Sequence, residues 1–202
     1  MSIAERPTLQ MPGGSSPPFL LCSEHLAGKI DIPNVMHAEG VEHARANGDR
    51  PYLAPLSVEW LRREGAKSTV LISPEGNALV PLAGFYLKEQ VEQGDRCFQL
   101  GGVFVREELR RCGVMLALLG EAMLGLREQH GPGTSFALKL LRGPDGRANP
   151  KALSLYRRLG LREVGASFAE VDGVRLPAVA MQSSANWPDA VRTALFSKRE
   201  AV

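Results

Sequence analysis

Arg110-Arg111-Cys112-Gly113 sets two guanidinium groups, a thiol and a glycine directly ahead of a long apolar run, Val114 to about Gln129. A helix N-terminus carries partial positive charge and N–H groups without intrahelical partners. Arginines are locally unfavourable there. A bound anion reverses that judgement, because N–H groups, dipole and guanidinium groups then all act on it together. The other reading of the loop is a solvated turn on which Glu107 and Glu108 neutralise the arginines. On the loop alone both readings stand.

Tyr156 is the second chemical candidate. Helical spacing puts it on the side of Ala152, Leu153 and Leu159, so it should point inward. Its ordinary pKa, about 10, keeps the phenol protonated at neutral pH. A tyrosine so placed is either packing material or a protected proton donor. Asn149-Pro150 has the form of a helix N-cap followed by a first helical residue. Cys22, Cys97 and Cys112 are odd in number and widely spaced, which suggests free thiols rather than a disulfide framework. Cys22 and His25, with His37 and His43 further on, make no zinc spacing, so no metal site is expected. Cys112 lies where a thiol pKa can fall, although a small residue in a tight loop also explains it.

These residues need elements to hold them. Leu100, Val103, Phe104 and Val105 have the content of a buried strand, expected over 96–105. Gly101 and Gly102 inside it suggest a bulge, or a backbone that another molecule approaches closely. Two segments, 69–73 and 78–87, flank Pro74-Glu75-Gly76-Asn77 and read as a hairpin. A strand is expected at 135–141 and a helix from Asn149 to its stop at Gly160. A last hairpin turns at Asp172-Gly173, between strands at 161–171 and 174–182. A short helix over 188–197 closes the chain. Before the sheet, a short strand is expected at 19–22 and helices at 34–46 and 56–64. Residues 1–18, with Pro12-Gly13-Gly14-Ser15-Ser16-Pro17-Pro18, should form a flexible tail. This order predicts an α/β fold with a mixed sheet covered by helices.

The 202 residues fit one domain with extensions, and 44% hydrophobic against 23% charged fits a globular protein with a full-sized core. The net charge of +2 and the absence of a long basic run argue against a nucleic-acid stripe. No stretch has a membrane-spanning length, and residues 1–18 lack the apolar core of a signal peptide. A cytoplasmic location without membrane association is the expectation.

The stretch Gln99 to Met115 as a whole resembles the acetyl-CoA-binding core of the GNAT acyltransferase superfamily. That family shows a strand ending Leu-x-x-Leu/Val-x-Val, then Arg/Gln-x-x-Gly-x-Gly/Ala opening a helix. Here the strand positions are Leu100, Val103 and Val105, and the loop positions are Arg110, Gly113 and Met115. A second family motif follows as Asn149-Pro150-Lys151-Ala152, Leu155-Tyr156 and Leu159-Gly160-Leu161. The motifs and their surroundings run from about Ser68 to Gln182. The resemblance implies the GNAT fold: a mixed, mostly antiparallel central sheet with helices on both faces, over 19–182, followed by a helical extension at 183–202.

It also implies an acetyl-CoA-dependent N-acetyltransferase acting on a primary amine by direct attack. Val103, Phe104 and Val105 would lie along the pantetheine arm. Arg110, Arg111, Cys112, Gly113, Val114 and Met115 would hold the pyrophosphate. Tyr156 would be the general acid and Asn149 a further pantetheine contact. Two positions depart from the family pattern. Met115 replaces a small residue, and Gln99 stands where many relatives carry a catalytic glutamate. A base would then come from Glu39, Glu42, His37 or His43, or the acceptor amine would need none. The alternative is a catalytically degenerate GNAT-fold module that binds acyl-CoA or serves a regulatory role. The acceptor's identity, the acyl chain length and a homodimer stay open.

Overall fold

The computed structural model describes residues 20–22, 65–75, 78–92, 95–143, 145–171 and 174–196. The expected tail, the helices at 34–46 and 56–64, and His25, His37, Glu39, Glu42 and His43 lie outside the described residues.

Seven strands form one sheet in the order β1-β2-β3-β4-β5-β7-β6. They are β1 (Leu20–Cys22), β2 (Ala66–Glu75), β3 (Ala78–Glu92), β4 (Asp95–Val105), β5 (Ser135–Leu141), β6 (Leu161–Val171) and β7 (Val174–Ser183). Among the described residues, the single parallel pair is β4 with β5. Their 29-residue connection (106–134) holds α1 (Val114–His130), as a parallel crossover requires. The helix α2 (Pro150–Arg158) then leads to β6, and α3 (Trp187–Phe196) follows β7. The chain has the mixed α/β sheet that its pattern of elements predicts, mostly antiparallel as the resemblance implies.

The register explains which face is buried. Leu87 pairs with Leu100, Phe98 with Phe136 and Leu100 with Leu138, and Leu138 with Met181. All are buried and share one face. Along α1, Val114, Met115, Leu116, Leu118, Leu119 and Met123 are buried in the same core. So nearly consecutive positions are apolar because this helix lies between the sheet and α3. Gly120 permits that approach: a Cβ there would meet Val191 and Leu195 at 3.1–3.3 Å.

The helix α3 belongs to this core. Trp187, Val191 and Ala194 are buried in it. The Trp187 ring stands edge-on to Phe136 at 5.0 Å, and its Nε1 donates to the Thr134 carbonyl at 3.2 Å. Gly160 ends α2 with φ +79, and a Cβ there would fall 2.6 Å from the Trp187 Cα. Glycine meets both demands, conformational and steric.

The opposite sheet face differs in chemistry. Tyr86, Lys88 and Gln90 of β3, Cys97 and Gln99 of β4, and Ala137 and Lys139 of β5 share it by register. Lys139 is exposed and the others are partly covered. Among the described residues, no helix is long and apolar enough to cross a membrane.

Candidate active site

The site begins where two strands part. β4 and β5 pair from Cys97/Ser135 to Leu100/Leu138 and no further. β4 continues to Val105 and β5 to Leu141. Residues 101–105 therefore have β3 on one edge and no β5 partner on the other. Backbone N–H and C=O groups left without a ladder partner are available to an extended ligand.

A bulge lies at the start of this segment. Tyr86 pairs with Gly101 and Gly84 with Phe104, so Gly102 and Val103 together stand opposite Phe85. Gly102 has φ +57, the left-handed region. Gly101 answers a different constraint. Its missing side chain is replaced by the Tyr86 ring: a Cβ there would lie 2.2 Å from Cζ and Oη of Tyr86. The glycine pair suggests a backbone without side-chain cover. At Gly101 that expectation is corrected, because Tyr86 covers it from the polar face.

The loop after β4 carries the charges. Arg106 donates its backbone N–H to the Leu82 carbonyl at 2.9 Å, and its side chain pairs with Glu108 at 2.9 Å. The Arg110 Nε donates to the Val105 carbonyl at 3.1 Å. That bond ties the loop to the strand end. A single turn of 3-10 helix, Glu107–Leu109, connects them. Arg111 (φ 68) and Gly113 (φ 81) are both left-handed, so the backbone between them is sharply curved. Cys112 is exposed. Gly113 precedes α1 with no side-chain cap and no acidic residue in the first turn. The first N–H groups of a 17-residue helix are thus left to solvent or to an anion.

Met115 is 5% exposed and packed into the core. Its side chain therefore points away from the loop, and its bulk takes no space in front of the N–H groups.

The N-terminus of α2 lies at the same end of the sheet. Arg142, just after β5, bridges to Ala148, just before α2. Asn149 caps α2: its Oδ1 accepts from Lys151 N at 2.9 Å and Ala152 N at 3.3 Å. On α2, Tyr156 is 5% exposed. Its hydroxyl has no hydrogen-bond partner among the described residues. Burial holds its pKa well above the ordinary phenol value. A buried hydroxyl is normally hydrogen-bonded, so one left alone calls for an explanation.

Gln99 sits one residue before the parting point. Its Oε1 accepts from Gln90 Nε2 at 3.1 Å. Tyr86 gave no signal in the sequence; only the cross-strand register brings it to Gly101. Burial raises its pKa as well.

No family model matches the sequence, and no curated protein is similar to it by sequence. Solved structures are similar in fold. The NatC complex bound to Gag peptide and CoA contains a chain that superposes with TM-score 0.60 at 13% identity, over 82% of this chain and 97% of that one. NAA60 of Arabidopsis thaliana, in complex with acetyl-CoA, gives 0.55 at 13% identity, over 81% and 97%. FeeM, an N-acyl amino acid synthase from uncultured soil microbes, gives 0.57 at 15% identity, over 90% and 99%. Together with the parted parallel strands and the uncapped helix beside them, these likenesses show that the chain has the GNAT fold.

Proposed function

We propose that the chain is an acetyl-CoA-dependent N-acetyltransferase. The observation that carries the reading is the β4 edge over 101–105, which has no strand partner on the β5 side among the described residues and ends beside the uncapped N-terminus of α1. An extended arm with amide groups can add to the edge, and a pyrophosphate can take the helix N–H groups. Two of the similar structures hold CoA or acetyl-CoA, which supports the same ligand here.

In this reading the backbone of Val103, Phe104 and Val105 holds the pantetheine arm and polarises the thioester carbonyl. Residues 110–115 hold the pyrophosphate: Arg111 supplies charge, and the backbone of Cys112, Gly113, Val114 and Met115 supplies shape and N–H groups. Arg110, committed to Val105, fixes the loop to the strand. Asn149 has its Oδ1 used by the cap, so only its Nδ2 is left for the pantetheine arm.

The amine nitrogen attacks the thioester carbon. A C–N bond forms, the C–S bond breaks, and Tyr156 gives its proton to the departing sulfur. The phenol regains a proton from the new amide nitrogen through water. Holding both reactants in one cleft supplies the entropic share of the rate.

A second reading, an acyl-CoA-binding module without turnover, is favoured by one observation: the Gln99 carboxamide cannot take a proton. Both readings require binding. Acetyl-CoA at millimolar concentration should raise the melting temperature by linkage. Gly113→Val should reduce that shift, because a β-branched residue is strained at φ 81. No shift with the unaltered protein sinks both readings. A shift without CoA release across a broad amine panel leaves the binding module.

A further inference from the structure

The hydrogen bond between Gln90 and Gln99 has a direction. Gln90 donates from Nε2 and Gln99 accepts at Oε1. Gln90 stands at the Cys97 level of the sheet, behind Gln99 as seen from the parting point. So the carbonyl of Gln99 is held from the rear. Its Nε2, with two donor hydrogens, has no partner among the described residues. Beside it on β5 the register places Ala137, whose methyl group leaves room.

We propose that Gln99 selects the acceptor, donating from Nε2 to a carbonyl oxygen on the carbon next to the one bearing the reacting amine. The acceptor class is then an α-amino acid or a peptide N-terminus rather than a simple alkylamine or polyamine. This rests on the acetyl-CoA reading above. An amine lacking that oxygen leaves a half-buried donor unpaired when the cleft fills, and buried donors left unpaired are costly. Lys139 shares the face, and its charge favours an oxygen there over a second ammonium. Proton chemistry agrees. The amino group of a peptide N-terminus or of an amino-acid amide has a pKa near 8, so roughly a tenth of it is neutral at pH 7, against about a thousandth of an alkylamine. Such an acceptor gives its proton to water before attack, and a carboxamide at position 99 costs it little.

The test compares alaninamide, glycinamide and a set of short peptides with the matching amines that lack the carbonyl group, following CoA release. The unaltered protein should prefer the carbonyl-bearing set by roughly fivefold or more in kcat/KM beyond the difference in free-base fraction, the scale of one neutral hydrogen bond. Gln99→Leu should remove the preference. Gln90→Glu should also reduce it, because a carboxylate only accepts and would turn the Gln99 amide around. The acetyl-CoA melting shift, measured in each variant, separates this result from misfolding and from loss of cosubstrate binding. Equal use of both sets, or a preference unchanged in both variants, overturns the inference. So does release of CoA with neither set while acetyl-CoA still binds. Absence of acetyl-CoA binding overturns the underlying reading as well.

Discussion

At the scale of single residues, Tyr156 combines three properties: burial, a hydroxyl without a partner among the described residues, and a raised pKa. Burial alone would suit a packing tyrosine. The unpartnered hydroxyl is what a waiting proton donor requires, since a partner would have to be broken at each turnover. Tyr156→Phe removes one oxygen and leaves the ring. It should keep the fold and acetyl-CoA binding and slow kcat by about two to four orders of magnitude. Unchanged kcat would return Tyr156 to a packing role. The raised pKa also has a stability consequence. Only the protonated phenol fits the folded state well, so its contribution is full below the ordinary value of 10.0 and is lost as pH rises through the folded value. Unfolding by urea from pH 8 to 11 should show the unaltered protein weakening more at the alkaline end than Tyr156→Phe. Equal slopes would contradict the assigned burial effect.

At the scale of elements, the β3–β4 pair sets up the place where β4 and β5 part. The bulge at Gly102 and Val103 turns the strand after Leu100, just where pairing with β5 ends. Tyr86 packs where the Gly101 side chain would be. Gly101→Ala should therefore destabilise the protein by about 1–3 kcal/mol, as overpacking does. In a Tyr86→Ala background the same change should cost much less, because the obstructing ring is gone. The double-mutant cycle, read by urea unfolding, should show strong coupling. Simple additivity would mean that the ring does not occupy that space.

At the scale of the whole molecule, the last helix is tied to the same core as the site. Trp187 packs on Phe136, which stacks on Phe98, with centroids 5.0 and 5.8 Å apart. Phe136 and Phe98 lie on the two strands that stop pairing beyond Leu100 and Leu138. Trp187→Ala should cost about 3–5 kcal/mol of stability. Acetyl-CoA affinity in the fraction that remains folded should stay near that of the unaltered protein, because Trp187 packs at the paired end of β4 and β5. A loss below about 1 kcal/mol would detach α3 from the core.

Much of this was legible in the sequence because the signals are local. The strand 135–141 follows from its composition. The start of α2 follows from the chemistry of Asn149 and Pro150, and its stop from Gly160. The curved loop and α1 follow from Arg110 to Met115. These depend on backbone preference and on neighbours three or four residues away. The edges of β2 and β3 were less legible: β3 runs to Glu92 rather than 87, since a long hairpin is extended by its partner strand and not by its own composition. Three features were decided by tertiary structure alone. The core side of Met115 depends on which face of α1 meets the sheet. The cover over Gly101 depends on the β3–β4 register that delivers Tyr86 from fifteen residues earlier. The orientation of Gln99 depends on Gln90, on the neighbouring strand. Cross-strand neighbours are set by pairing, and pairing is fixed only when one whole face of the sheet finds its core.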